Sequence, residues 1–185
     1  LPIFRYFCTM ATTKDWIHAF RLRTLPLSLS GIIVGSLIAV QNGYWNGIVF
    51  ALALTTTLLF QILSNLANDL GDTLKGADNA QRVGPQRAVQ SGAISVNAMK
   101  RAVIINALLS FISAGLLIWQ GTRNLSVSSV YFYSILAVAC VLAAITYTVG
   151  KRAYGYHGMG DFFVFLFFGC VSVIGVYPLF ADGIS

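Results

Sequence analysis

The sequence predicts an all-helical, polytopic membrane bundle, and three observations predict it. Apolar residues make up 57% of the 185 residues and charged residues only 10%, against about 25% charged in an ordinary soluble domain. Such a chain has too little polar surface to cover a water-facing globule. Its mean hydropathy is +0.75, and the apolar residues gather into five runs near the roughly 20 residues that a membrane helix needs. The charges fall in the links between those runs. Disorder is excluded by the same balance of apolar and charged residues. A disulfide scaffold is excluded by a cysteine count of three, two of which, Cys140 and Cys170, sit inside apolar runs. A membrane barrel would show alternating segments of about ten residues. Continuous runs argue for helices, which satisfy their own backbone hydrogen bonds in lipid.

The first span is expected at about 25–40, led in by the amphipathic Trp16–Arg23. The second is expected at about 47–64, the third at about 102–119, the fourth at about 130–149 and the fifth at about 162–181. Arg5, Lys14, Arg21 and Arg23 precede the first span, and the link after it carries no charge. The link between the second and third spans carries Lys75, Arg82, Arg87, Lys100 and Arg101. The next carries only Arg123, and the one after it Lys151 and Arg152. Eleven of the twelve basic residues thus fall on one side. The positive-inside rule makes that side cytoplasmic, with the N-terminus inside a cell (inner) membrane. No signal peptide is expected, because the first apolar stretch follows a basic lead and reaches no cleavage site. The chain reads as one membrane domain over 1–185, with 1–12 as an extension. The initial Leu and the stop soon after the fifth span lead us to expect a fragment. The partners expected from this composition are a lipid bilayer and its solutes, with no nucleic acid.

One stretch, 65–101, breaks the membrane pattern and reads as a polar helix end followed by a cytoplasmic loop. If the second helix continues past Ser64, then Gln61, Asn65, Asn68, Asp69 and Asp72 follow i, i+4, i+7, i+8 and i+11 and share a face. Oxygen-bearing side chains at the end of a membrane helix are costly and need a partner. Carboxylate and amide oxygens suit a hard cation such as Mg²⁺, which takes one or two carboxylates, several waters and phosphate oxygens. Lys75, Arg82 and Arg87 follow closely and suit oxyanions, Arg by bidentate pairing and Lys as a point charge. Gly76, Gly84 and Pro85 let the intervening loop turn. Carboxylates followed by cations form the layout for a diphosphate held through Mg²⁺. The competing reading is a juxtamembrane ion-pair network that only solvates a helix end.

Other positions carry weaker signals. Tyr147 and Lys151 lie i, i+4 at the end of the fourth span and suit either ligand contact or interfacial anchoring. Arg21 and Arg23 fit either a pocket or the positive-inside bias. His18 and His157 have no metal-ligand partner at useful spacing. Phe162, Phe163, Phe165, Phe167 and Phe168 could shield a carbocation, although most are expected to face lipid or neighbouring helices. Ser64 has no His/Asp partner in sequence and is not read as a nucleophile.

At Asn68-Asp69-x-x-Asp72, followed by Asp78 in Lys75-Gly76-Ala-Asp78-Asn79, the chain resembles the UbiA superfamily of intramembrane aromatic prenyltransferases. The longer pattern adds Gly84-Pro85-x-Arg87-Ala88-Val89-x-Ser91-Gly92, with Arg23-Thr24-Leu25-Pro26 upstream and Tyr147-Thr148-x-Gly150 downstream. It looks like the branch acting on 1,4-dihydroxy-2-naphthoate in menaquinone biosynthesis, from about Thr13 onward. Lys151-Arg152 departs from the Pro that many relatives have after the Gly. The resemblance implies a nine-helix bundle with a second Asp-rich motif after the sixth helix, so this chain alone is expected to be inactive. It implies a transferase that moves a polyprenyl group from its diphosphate to the naphthoate, giving demethylmenaquinone. Asp69, Asp72 and Asp78 would hold catalytic Mg²⁺. Asn65 and Asn68 would orient the metal shell, and Lys75, Arg82, Arg87, Tyr147 and Lys151 would contact substrate. A sister enzyme for another aromatic acceptor such as 4-hydroxybenzoate, or a transporter fragment with an acidic cation site, are the alternatives.

Overall fold

The computed structural model describes residues 11–76, 86–150 and 154–180. Among them there are only helices and turns, and five stretches are long and apolar enough to cross a membrane. The chain enters through a short helix, α1 (Thr13–Phe20), fixed at its start by a capping box. Thr12 Oγ1 accepts from Asp15 N–H while the Asp15 carboxylate accepts from Thr12 N–H at 2.8 Å, so two orphan donors satisfy each other's ends. Arg21 ends α1 in the left-handed conformation, with φ at 51°. One 3₁₀ turn (Leu22–Thr24) then leads into α2 (Leu25–Gln41), which carries Pro26 in its first turn, where no N–H is needed.

Asn46 caps α3 (Gly47–Leu74), its side-chain oxygen accepting from Ile48 and Val49 N–H. At 1.5 Å per residue, 28 residues span about 42 Å, against about 30 Å of hydrocarbon. The apolar part therefore fills the membrane, and the polar part from Asn65 onward reaches the interface. Ser95 caps α4 (Val96–Gly121), which runs antiparallel to α3 as its main packing partner. The Thr56–Ser113 hydroxyl pair, 2.8 Å apart and buried, fixes their register. Next comes α5 (Val127–Thr146), then a 3₁₀ turn at Tyr154–His157 and the last span, α6 (Gly160–Leu179).

α3 runs ten residues past the expected end of the second span, to Leu74. α4 and α5 begin six and three residues earlier than the apolar runs; the Ser95 side chain caps α4, whereas Ser126 precedes α5 without a side-chain bond to its backbone. In α6 the segment Phe165–Val171 is π-helical, which an apolar run cannot signal. Two buried clusters hold the bundle. One, at the Leu74 end of α3, gathers Leu63, Leu66, Leu70, Ile94, Met99 and Val103 with the loop residues Ala88 and Val89. The other, at the Gly47 end, gathers Val49, Ala53, Ile32, Tyr133, Val176 and Leu179. Between and beside them all five spans line one apolar cavity of about 300 Å³. The outer faces of α4 and α5, such as Ile104, Leu108, Ile112, Ile135 and Leu142, are exposed and apolar, as lipid-facing surfaces must be.

Candidate functional site

The site is built on α3 and on the loop that returns to α4. Ala53, Thr56, Thr57, Phe60, Gln61 and Ser64 line the cavity from the α3 side. At 3.6 residues per turn the same stripe continues to Asn68, with Asp72 at its edge and about 12 Å beyond Ser64. Asp69 lies about 60° further round the helix than Asp72, and that rotation separates their roles. Arg87 reaches back from the loop to span the first pair: Nη1 donates to Asn68 Oδ1 at 3.1 Å, and Nη2 pairs with the Asp72 carboxylate. Asp69, 2% exposed, instead accepts from the loop itself, from Ala88 N–H at 3.1 Å and Val89 N–H at 3.4 Å. Expected beside Asp72 as a metal ligand, Asp69 has both oxygens turned to backbone amides.

The amides on the stripe divide in the same way. Gln61 Nε2 and Asn65 Nδ2 both donate to Thr24 Oγ1 at 3.1 Å, and Asn65 also donates to the Phe20 carbonyl at 2.8 Å. These two residues tie the α1–α2 corner to α3. The same corner holds Arg23-Thr24-Leu25-Pro26, so Thr24 in that pattern acts as a shared acceptor. Lys75 and Gly76 form the turn that ends α3. Lys75 is exposed, and Gly76 takes φ at 67°, a conformation that glycine adopts without cost. Among the described residues no three His, Cys, Asp or Glu side chains gather as a metal-binding group. Asp78, Arg82 and Lys151 lie outside the described residues.

The end of α5 closes the other side of the mouth. Thr148 donates to the Ala67 carbonyl at 3.1 Å across the α3–α5 contact. Gly71 permits that approach: a Cβ there would sit 2.7 Å from both Thr148 Oγ1 and the Thr148 carbonyl carbon. Tyr147 lines the cavity. Its ring meets Tyr154 edge-on at 5.3 Å, and Tyr154 stands 4.1 Å from Phe163. The five phenylalanines split. Phe163, Phe167 and Phe168 line the cavity, while Phe162 and Phe165 are exposed. Tyr154, Tyr133 and Cys140 are cavity residues that the sequence reading missed. The only signal for Tyr154 was its place between glycines just before an apolar helix.

An apolar cavity with an aromatic rim, and an amide, a carboxylate and a guanidinium about one to two turns further along α3, suit a ligand with a long apolar body and an anionic head. The UbiA prenyltransferase family matches residues 28–182. The chain is 44% identical over 172 residues to the 1,4-dihydroxy-2-naphthoate octaprenyltransferase of Haemophilus influenzae, covering 90% of this chain and 54% of that protein. It is 44% identical over 170 residues to the enzyme of that name from Escherichia coli, covering 92% and 54%. With the one from Mycobacterium tuberculosis it shares 33% over 168 residues, covering 90% and 54%. The chain spans about half the length of the curated relatives it matches. No solved structure matches it.

Proposed function

Because the chain belongs to the UbiA prenyltransferase family, we propose that its protein transfers a polyprenyl group from its diphosphate to 1,4-dihydroxy-2-naphthoate, giving demethylmenaquinone. The observation that carries this reading is the Asn68–Arg87–Asp72 cluster, about one to two turns along α3 beyond Ser64 of the cavity lining. The prenyl tail lies in the cavity and the diphosphate at the cluster. The reading places the cluster on the cytoplasmic side of the cell (inner) membrane, by the excess of basic residues there.

Asn68 Oδ1 and the Asp72 carboxylate fit Mg²⁺, a cation that needs only one or two protein carboxylates once phosphate oxygens and water complete its shell. They would hold it, with Asp78 added on the sequence pattern. Held by these residues, the ion would supply positive charge to the departing diphosphate. Arg87, with Arg82 and Lys75, binds the same oxygens and holds the leaving group in place. Tyr147, Tyr154 and Phe163 present ring faces and edges to the mouth and stabilise positive charge at the allylic carbon. The C1–O bond breaks with its electrons leaving on diphosphate. The naphthoate ring carbon that bears the carboxylate then bonds to C1, and the carboxylate leaves as CO₂, the electrons of its C–C bond restoring the aromatic ring. Asp69 takes no part in metal binding in this reading; it holds the Arg87 loop in position.

The test is Mg²⁺-dependent prenylation of 1,4-dihydroxy-2-naphthoate by the full-length protein in membranes of a host lacking its own enzyme. Product is expected with this acceptor and not with 4-hydroxybenzoate. Asp72→Asn should lower turnover about a hundredfold or more at unchanged protein level. Absence of product with the wild type, or full activity of Asp72→Asn, would overturn the proposal.

A further inference from the structure

A second cavity, of about 340 Å³, lies on the flank of α3 marked by Asp69. It shares no lining residue with the apolar cavity. Five cationic or titratable side chains line it: His18, Arg21, Arg23, Asp69 and Arg87. The acid among them, Asp69, already accepts from two backbone N–H groups. Next to the cations, Ile17 and Leu22 line the same cavity and are about half exposed. The cavity belongs to α1 and the turn after it, which precede the first apolar span and sit at the level of the polar end of α3.

Arg21 is the one described residue other than glycine with positive φ, at 51°. Helices commonly end on glycine in that conformation, and another side chain there costs free energy. Such outliers gather at sites where the side chain is needed. Here the left-handed cap turns the chain so that Arg21 and Arg23 line the same cavity.

We propose that this cavity binds the phosphate of an anionic glycerophospholipid in the adjoining leaflet, with the acyl chains lying along Ile17 and Leu22. Cations clustered between membrane helices at the headgroup level suit an anionic headgroup, and guanidinium groups match phosphate oxygens in pairs. The exposed apolar side chains beside them suit the first methylenes of a lipid tail and have no counterpart in a site for a free ion. The prenyl tail proposed above has its own cavity, across α3; of the Asn68–Arg87–Asp72 cluster proposed for the diphosphate, Arg87 alone borders this cavity as well.

The experiment reconstitutes the full-length protein in nanodiscs of phosphatidylcholine with phosphatidylglycerol as a minor component. Lipids retained after mild detergent extraction are then counted by native mass spectrometry. Wild type should retain phosphatidylglycerol over phosphatidylcholine by about fivefold or more, the preference expected of roughly one well-placed cation. Arg21→Gly and Arg23→Gln should each reduce that preference severalfold. Arg21→Gly should also match or exceed wild-type thermal stability in pure phosphatidylcholine, because glycine accepts the left-handed cap. Lys100→Gln with Arg101→Gln, at the start of α4 on the same side, should leave the preference intact. The proposal is overturned if the Lys100/Arg101 variant loses as much as the Arg21 and Arg23 variants, which would mean diffuse attraction. It is also overturned if inorganic phosphate alone, or geranyl diphosphate with Mg²⁺, displaces the bound lipid, which would assign the cavity to a free anion or to substrate.

Discussion

Asp69 and Asp72 stand three residues apart in one motif, yet the geometry gives them separable jobs. Asp72 shares Arg87 with Asn68, whereas Asp69 collects two loop amides. Asp69→Asn exchanges one accepting oxygen for an NH₂ group that faces a backbone donor. An unsatisfied buried donor costs about 1–3 kcal/mol, so the thermal midpoint in detergent should fall by several degrees. Asp72→Asn should leave the midpoint nearer wild type and strike turnover instead. Equal effects of the two on stability would show that the acids share one role. The sequence supplied the stripe of polar residues but not this division. Asn65, Asn68, Asp69 and Asp72 all satisfy a helical face broad enough to include them. Only the position of the returning loop decides which of them meets amides, which meets a guanidinium and which meets Thr24.

At the level of the elements, the contact between α3 and the end of α5 rests on two small features, Gly71 and the Thr148 hydroxyl. Thr148→Val removes one buried hydrogen bond while keeping shape, and should cost about 1 kcal/mol. Gly71→Ala should cost more, about 1–3 kcal/mol, because the new methyl meets the Thr148 backbone as well as its side chain. If the proposed prenyl transfer holds, it should also weaken that activity in the full-length protein by displacing Tyr147, the neighbour of Thr148. Thermal melts and a steady-state assay of each variant check both, and a Gly71→Ala variant indistinguishable from wild type would rule out this close approach. The extent of α3 was legible beyond its apolar run, because the polar residues kept helical spacing to Asp72. The end of α1 was not legible, since an arginine in place of glycine gives no stop signal. Nor was the π-helical stretch of α6, where Phe165–Val171 reads as an ordinary apolar segment.

For the molecule as a whole, the alternation of charge between links predicts which ends share a compartment. In a background without native cysteines, an impermeant thiol reagent should modify a cysteine placed at Asn42 in intact cells. A cysteine placed at Ser91 should react only after permeabilisation. Both positions are exposed, so the reverse pattern would invert the bundle and put the polar cluster outside. Composition and charge spacing made the bundle and its five spans legible, because lipid imposes length and apolarity on every span. The cavity was not legible, because its lining comes from all five spans at positions that look like core or lipid-facing residues. That cavity has a thermodynamic consequence. The two buried clusters share no residue, and truncations that share no partner add in free energy within about 0.5 kcal/mol. Ile94→Val in one cluster and Val176→Ala in the other should therefore add without cooperation in the free protein. A tail seated in the cavity touches Val176 directly and reaches past Ser64 toward the cluster that holds Ile94. Ligand would then supply an interaction energy between the two substitutions that the polypeptide lacks. A double-mutant cycle on melting, run with and without a non-hydrolysable prenyl diphosphate analogue, would measure cooperativity that resides in the substrate rather than in the chain.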